Sequence, residues 1–190
     1  MVNTYKHPNI SLFTYSEIIE FSGIPGNYNA KIRKKPRYVK EENCTGCGLC
    51  TTKCPIKIPN EFDRGLGERN AIYVPFPQAV PKVALIDKDA CIDCKNCQKN
   101  CLADAIDFNQ KPEYINVNIG AIIVAIGGDE YRIDENNEYN YGIYPNVITQ
   151  IELERMLSPV GPTEGKVYRI SDGKTPVSYT HLTLPTILLV

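Results

Sequence analysis

The chain contains no tryptophan, only two histidines and two methionines, and charges that nearly cancel to a formal −1 at pH 7. Each scarcity removes a class of function. His7 and His181 stand without a carboxylate or nucleophile at motif spacing, which leaves no basis for a hydrolytic site. A balance of −1 supplies no basic field for nucleic acid. The longest apolar stretch, Gly120 to Gly127, falls far short of the roughly 18–20 residues that cross a bilayer, so no membrane insertion is expected. The opening Met1-Val2-Asn3-Thr4-Tyr5 lacks a basic segment followed by an apolar one, so no secretion signal and a cytoplasmic location are expected. Gly-x-Gly-x-x-Gly occurs nowhere, so the βαβ unit that cradles a dinucleotide diphosphate is missing.

What is present is a folded composition, with 43% hydrophobic and 23% charged residues, in a chain of 190 residues rich in loop-forming proline, of which there are 14. That length suits one ordinary domain, or a small domain set into part of a larger one. Eight cysteines without an export signal point to reduced thiolates serving as metal ligands, because structural disulfides are rare in a reducing compartment. They form a repeat: Cys44, Cys47, Cys50 and Cys54 recur as Cys91, Cys94, Cys97 and Cys101, every member displaced by 47 positions.

Cys-x2-Cys-x2-Cys-x3-Cys places three thiolates on a tight loop around one iron-sulfur cube. The fourth is expected at the start of a helical turn, facing a second cube. In two-cluster ferredoxins that fourth cysteine ligates the other cluster, which assigns Cys44, Cys47, Cys50 and Cys101 to one [4Fe-4S] cluster and Cys91, Cys94, Cys97 and Cys54 to its partner. Gly46 and Gly48 allow backbone N–H groups to turn toward the sulfurs, and Asp93, Lys95 and Asn96 occupy the loop of the second run. The two potentials are therefore expected to differ, in a direction the sequence leaves open. Paired Cys-x2-Cys knuckles holding two structural zinc ions are the competing reading, and a disulfide framework a third. Pro55 follows the first run as in ferredoxins, whereas Leu102 follows the second.

Around the runs, the pattern predicts a strand over Asn9 to Thr14, a brief turn over Glu17 to Glu20 capped by Ser16, and a strand over Asn29 to Arg33. Pro55, Pro59, Pro75, Pro77 and Pro81 predict an irregular connection between the runs. Ala103 to Ile106 reads as a helical turn, Tyr114 to Val117 as a strand and Ala121 to Ile126 as a strand buried on both faces. Asp134 to Asn140 reads as loop. Thr149 or Gln150 opens a helix through Leu157, and Ser158 to Pro176 is loop with a short strand at Lys166 to Ile170. Lys31, Arg33, Lys34, Lys35 and Arg37 read as a solvated strand edge, against a nucleic-acid or flavin-phosphate contact.

Glu42-Asn43-Cys44-Thr45-Gly46-Cys47, Pro59-Asn60-Glu61-Phe62 and the stretch from Ala71 to Pro81 resemble the iron-sulfur A subunit of heterodisulfide reductases, as do His7-Pro8-Asn9-Ile10, Ala105-Ile106-Asp107-Phe108 and Gly120 to Ala125. The likeness runs from about Val2 to about Thr175. It implies an α+β fold in which a double-cluster (2×[4Fe-4S]) ferredoxin-like module is inserted in a partial FAD/NAD(P)-binding, thioredoxin-reductase-like domain. Residues 1–37 and 112–176 would then be pieces of the flavoprotein domain, and 38–111 the dicluster module. In such flavoproteins an Ala-Thr-Gly strand end lies beside FAD. Here Ala125-Ile126-Gly127 matches it, so Gly127 is the implied FAD contact, with a hydroxyl lost at Ile126.

The resemblance also implies an oxidoreductase function in methanogenesis. Its partners would be the other heterodisulfide reductase subunits and a hydrogenase or dehydrogenase electron donor; a homo-oligomer is compatible with it. Lacking the diphosphate-binding unit, the chain reads as a fragment whose FAD belongs to the full-length form. Ser178-Tyr179-Thr180-His181-Leu182-Thr183-Leu184-Pro185-Thr186 interrupts the family pattern, and residues 177–190 read as a non-native tail.

Overall fold

A computed structural model describes residues 2–128 and 138–176. The chain divides into two units, one of Met1–Ile58 with Arg69–Ile126 and the other of Pro59–Glu68 with Gly127–Val190.

The first unit opens with a turn of helix, α1 (Val2–Tyr5), followed by strands β1 (Ser16–Ile24) and β2 (Asn27–Lys34). Pro25 presets φ and Gly26 takes φ +90°, the pairing a type II turn requires, so β1 doubles back on β2. A bulge between Ile18 and Glu20 leaves Ile19 outside the ladder. β7 (Glu113–Ile119) pairs with the other side of β2, so the sheet order is β1-β2-β7, antiparallel throughout. Along β7 the half-buried Ile115, Val117 and Ile119 alternate with exposed Tyr114, Asn116 and Asn118, and they sit opposite Ile32, Ala30 and Tyr28. The sheet therefore joins chain lying before both cysteine runs to chain lying after them.

β2 is the central strand, not an edge. Its basic residues are neutralised across the sheet: Lys31 pairs with Glu20 at 2.8 Å, and Glu17 meets both Arg33 and Lys35. Lys34 and the buried Arg37 share Glu41 at 3.4 and 2.9 Å. The strand expected over Asn9 to Thr14 is absent from those residues, and the turn expected from Ser16 is strand β1. Ile18 and Phe21 have register partners in Ile32 and Ala30, whereas a turn would leave them unpaired.

The remaining elements of this unit are short. α2 (Leu49–Thr52) and α3 (Asn96–Lys99) each carry the third cysteine of a run; β3 (Lys57–Pro59) pairs with β4 (Glu68–Asn70), and β5 (Ile72–Tyr73) with β6 (Leu85–Ile86). The connection between the runs is thus partly regular, with short strands falling between the prolines. Val39, Ile72, Val83, Ala84, Ile86, Ala105 and Ile106 form the core, together with Cys50 and Cys97. Its pairing is crossed. Val39, ahead of the first run, bridges Ile106, behind the second; Ile86, ahead of the second, pairs with Ile72, behind the first. The backbone bonds repeat in the same sense, Lys40 N–H to Ala105 and Asp87 N–H to Ala71, both at 2.7 Å.

Ala121 to Ile126 forms no strand and is exposed, Ile123 and Ile126 each to 91%. An apolar run reads as doubly buried only when neighbours pair with it on both sides, and no described strand does so. Ala103 to Ile106 forms no helical turn: a turn closes over Leu102 and Ala103, with Asp104 N–H bonding the Cys101 carbonyl at 3.3 Å, and Ile106 makes the bridge to Val39.

In the second unit, Asn60 accepts from Gly65 N–H and donates to the Gly67 carbonyl, both at 2.8 Å, closing a compact loop. α4 (Gln150–Leu157) begins at a capping box in which the Thr149 hydroxyl accepts from Glu152 N–H and the Glu152 carboxylate accepts from Thr149 N–H. Met156 is buried, while Ile151 and Leu157 are exposed. Arg155, also buried, donates to Asp63 at 3.1 Å and lies over the Phe62 ring. Lys166 to Ile170 forms no strand; Arg169 instead closes a turn with Gly173 and Lys174. Asp129, residues 134–137 of the expected loop and the 177–190 tail lie outside the described residues.

Candidate metal centre

The two cysteine runs fold alike. Thr52 N–H and Lys99 N–H bond back to the carbonyls of Gly48 and Lys95, and Cys54 N–H and Cys101 N–H to those of Thr51 and Gln98. Gly46 and Gly48 are left-handed, at φ +65° and +79°; so are Asp93 and Lys95, at +53° and +58°, the positions 47 residues on. That conformation costs a non-glycine residue about 1–2 kcal/mol, so its retention at Asp93 and Lys95 shows how strongly the loop shape is demanded.

Burial repeats as well. Cys44 and Cys91 are half-buried, Cys47 and Cys94 exposed, Cys50 and Cys97 buried, Cys54 and Cys101 half-buried, and all eight are free thiols. The third cysteine of each run lies in the helical turn and the fourth follows it, where the sequence placed the fourth at the turn's start.

These loops bring together thiols from both runs. Cys44, Cys47, Cys50 and Cys101 line one cavity of about 250 Å³, walled by Val39, Val74, Ala84 and Ile106. Cys54, Cys91, Cys94 and Cys97 line a second, narrower one of about 20 Å³ against Ile56, Ile72 and Ile86. Soft sulfur donors facing an apolar wall suit an iron-sulfur cluster, whose charge they share. Among the described residues no three His, Cys, Asp or Glu side chains already converge closely enough to hold a single metal ion, which bears alike on zinc and on a cluster.

The sulfurs differ in their surroundings. Hydrogen bonds from the Leu49 backbone and then the Thr45 hydroxyl hold the Cys47 thiol below its ordinary value. Burial pushes Cys50 up, against hydrogen bonds from the Thr51 hydroxyl and backbone. Burial also pushes Cys97 up to about 11, with the Gln98 backbone opposing. Buried thiols resist ionising without a cation to stabilise them, which is the condition a metal cluster meets. Ala105 N–H donates to Cys101 Sγ at 3.4 Å. Cys91 Sγ stands 3.9 Å from the Asp93 carboxylate, itself paired with Lys88. Asn70 donates its side-chain N–H to the Cys54 carbonyl at 2.8 Å, steadying the fourth cysteine. Neither Asn70 nor Ala105 stands out in the sequence, whereas Asp93 does, as the residue 47 positions on from Gly46.

Gly127 is left-handed at φ +76°, with open space wherever a side chain would begin. With Ile123 and Ile126 exposed beside it, the described residues build no cradle for a flavin. A flavin contact there is carried by the resemblance alone.

The 4Fe-4S binding domain family matches residues 37–59, which include the whole first run. The fold is a small mixed α/β one, and the site is that of an iron-sulfur electron-transfer protein. The kinship is more particular. The chain is 55% identical over 93% of its length to the CoB–CoM heterodisulfide reductase iron-sulfur A subunit of Methanocaldococcus jannaschii, covering 27% of that protein. It is 58% identical, at the same coverages, to the second-numbered A subunit of Methanopyrus kandleri. Against the A subunit of the H2:CoB–CoM heterodisulfide, ferredoxin reductase of Methanothermobacter marburgensis it is 52% identical over 95%, covering 28%. The chain thus belongs to the heterodisulfide reductase A-subunit family, matching a stretch of it nearly end to end, and it spans about 27% of the length of the curated relatives it matches. No helix among the described residues is long and apolar enough to cross a membrane.

Proposed function

We propose that the chain is the double-cluster electron-transfer module of an oxidoreductase like the heterodisulfide reductase A subunits. Cys44, Cys47, Cys50 and Cys101 would hold one [4Fe-4S] cluster, and Cys91, Cys94, Cys97 and Cys54 the other. The observation that supports this reading is the lining of two separate cavities, each by three cysteines of one run and the fourth of the other. When bound, such clusters supply one-electron chemistry with no bond made or broken at the protein. The chain's own work is to fix the thiols on two equivalent loops, to exclude water with Val39, Ile72, Ile86 and Ile106, and to aim N–H and hydroxyl groups at sulfur.

The three-stranded sheet supports a module inserted between two pieces of a larger domain, since it pairs residues 27–34 with 113–119 on either side of the cysteine runs. In the longer protein the surrounding domain would bind FAD, and the module would exchange electrons with other reductase subunits and a hydrogenase or dehydrogenase donor in the cytoplasm.

Iron, acid-labile sulfide and zinc per chain, measured after anaerobic reconstitution, test the reading. About eight iron and eight sulfide, with a visible absorption that bleaches under dithionite, are expected. Two zinc and no sulfide would make the cysteines structural and end it.

A further inference from the structure

The repeat makes the chain its own control: any group beside one set of thiols can be compared with its counterpart 47 residues away. We propose that the Cys44, Cys47, Cys50 and Cys101 site holds an electron more strongly than the Cys91, Cys94, Cys97 and Cys54 site. The Ala105 N–H points a hydrogen-bond donor at the first, whereas the Asp93 carboxylate and the Ile56 carbonyl face sulfurs of the second. The proposal rests on the reading that each site holds one [4Fe-4S] cluster.

At the first site, the Thr45 hydroxyl and Leu49 N–H serve Cys47, the Thr51 hydroxyl serves Cys50, and Ala105 N–H lies 3.4 Å from Cys101 Sγ. At the second, the counterparts of Thr45 and Thr51 are Ile92 and Gln98, so both hydroxyls are gone. The backbone donors of Thr51 and Gln98 to Cys50 and Cys97 are equivalent and cancel. Cys54 Sγ, the counterpart of Cys101, faces the Ile56 carbonyl oxygen at 3.8 Å, and Cys91 Sγ faces Asp93 Oδ1 at 3.9 Å where the first run has Gly46. Lys88 pairs with Asp93 and also interacts electrostatically with Cys91, so it offsets part of the carboxylate's charge, and solvent screens both members of the pair.

Adding an electron makes a cluster and its sulfurs more negative. Donors aimed at sulfur stabilise that state, and oxygen lone pairs oppose it, so the first site has the higher potential. One electron entering the pair settles on the Cys44 side and leaves the other site oxidised. The electron count is one before and after, and the transfer needs no further reactant.

The test is a potentiometric titration of the anaerobically reconstituted 190-residue chain, followed by electron paramagnetic resonance, on the parent, Asp93→Asn and Thr45→Val. Asparagine keeps the shape of aspartate and accepts the left-handed backbone at position 93. Two one-electron steps are expected in the parent. Asp93→Asn should move only the lower step upward, and Thr45→Val only the upper step downward, each by about tenfold in electron partition, or 59 mV. A shift of the upper step by Asp93→Asn, of the lower step by Thr45→Val, or of neither step by Asp93→Asn would overturn the assignment, as would two indistinguishable steps in the parent. Zinc in place of iron, seen in the metal assay before any variant is compared, would instead sink the underlying reading and this proposal with it.

Discussion

The carbonyl oxygen of Lys82 lies 2.5 Å from where a side chain on Gly46 would begin. Gly48, two residues on, has nothing within 4 Å of the same point, although both glycines are left-handed. The two therefore separate backbone strain from collision. Gly48→Ala should cost about 1–2 kcal/mol, the penalty of a left-handed alanine. Gly46→Ala adds a clash with main chain, which cannot rotate away, and should lower both the thermal midpoint and the iron bound per chain. Equal losses in the two variants would mean that the Lys82 segment yields freely.

Crossed ligation gives a comparison of spectra. Cys54→Ser should leave the same cluster as Cys94→Ser, and Cys101→Ser the same as Cys47→Ser, because each pair lines one cavity. About four iron per chain should remain in all four variants. If the Cys54→Ser spectrum instead matches that of Cys47→Ser, each run holds its own cluster and the crossed assignment is lost.

What could be read from sequence was what is local. The cysteine spacing, the 47-residue repeat, strand β2, strand β7 and the capped helix α4 each depend on residues close along the chain, and their patterns were visible. The misreadings share a cause. Ser16 to Glu20 looked like a capped turn because its partners, Lys31 to Lys34, lie beyond the hairpin's turn. Ala121 to Ile126 looked doubly buried because apolar character says nothing about whether a neighbouring strand is there to pair with it. At the site, the thiols and Asp93 were legible and the other tuning groups were not: Ala105 reaches Cys101 through its backbone, which carries no residue signature, and Asn70 reaches Cys54 across 16 positions.

Arg69 and Asp87 confer an acid limit on the first unit. Arg69, buried over the Tyr73 ring at 4.0 Å, donates to Asp87 at 2.8 Å. That bond holds the Asp87 carboxyl below its ordinary value; partial burial opposes the shift, and the backbone N–H groups of Ala90 and Asp89 assist it. A folded value below the unfolded one, about 3.9, means the stabilisation is present above that pH and is lost as the pH falls through the folded value. Asp87→Asn should therefore be less stable at pH 7, by about 1–3 kcal/mol, and the gap from the parent should close below about pH 4. A gap in unfolding free energy that stays constant down to pH 3 would show that the carboxylate's charge is not what matters.

Asp63 and Arg155 test the second unit in the same way, without touching a thiol. The Arg155 side chain is 10% exposed and that of Asp63 14%, so the pair is largely withdrawn from water. Glu154 also approaches Arg155, at 3.6 Å, but is 62% exposed and screened. Removing one partner of a buried pair leaves the other charge desolvated and poorly matched, which costs about 3–5 kcal/mol. Asp63→Ala should therefore loosen α4, read as faster amide hydrogen exchange from Gln150 to Leu157, while iron and sulfide per chain stay at the parent level. Phe62 keeps its ring against the guanidinium in that variant, 4.5 Å from ring centre to Cζ, so Phe62→Leu in the same background should accelerate exchange further. Unchanged exchange in Asp63→Ala would mean that the Thr149–Glu152 capping box and Met156 hold the helix without the ion pair.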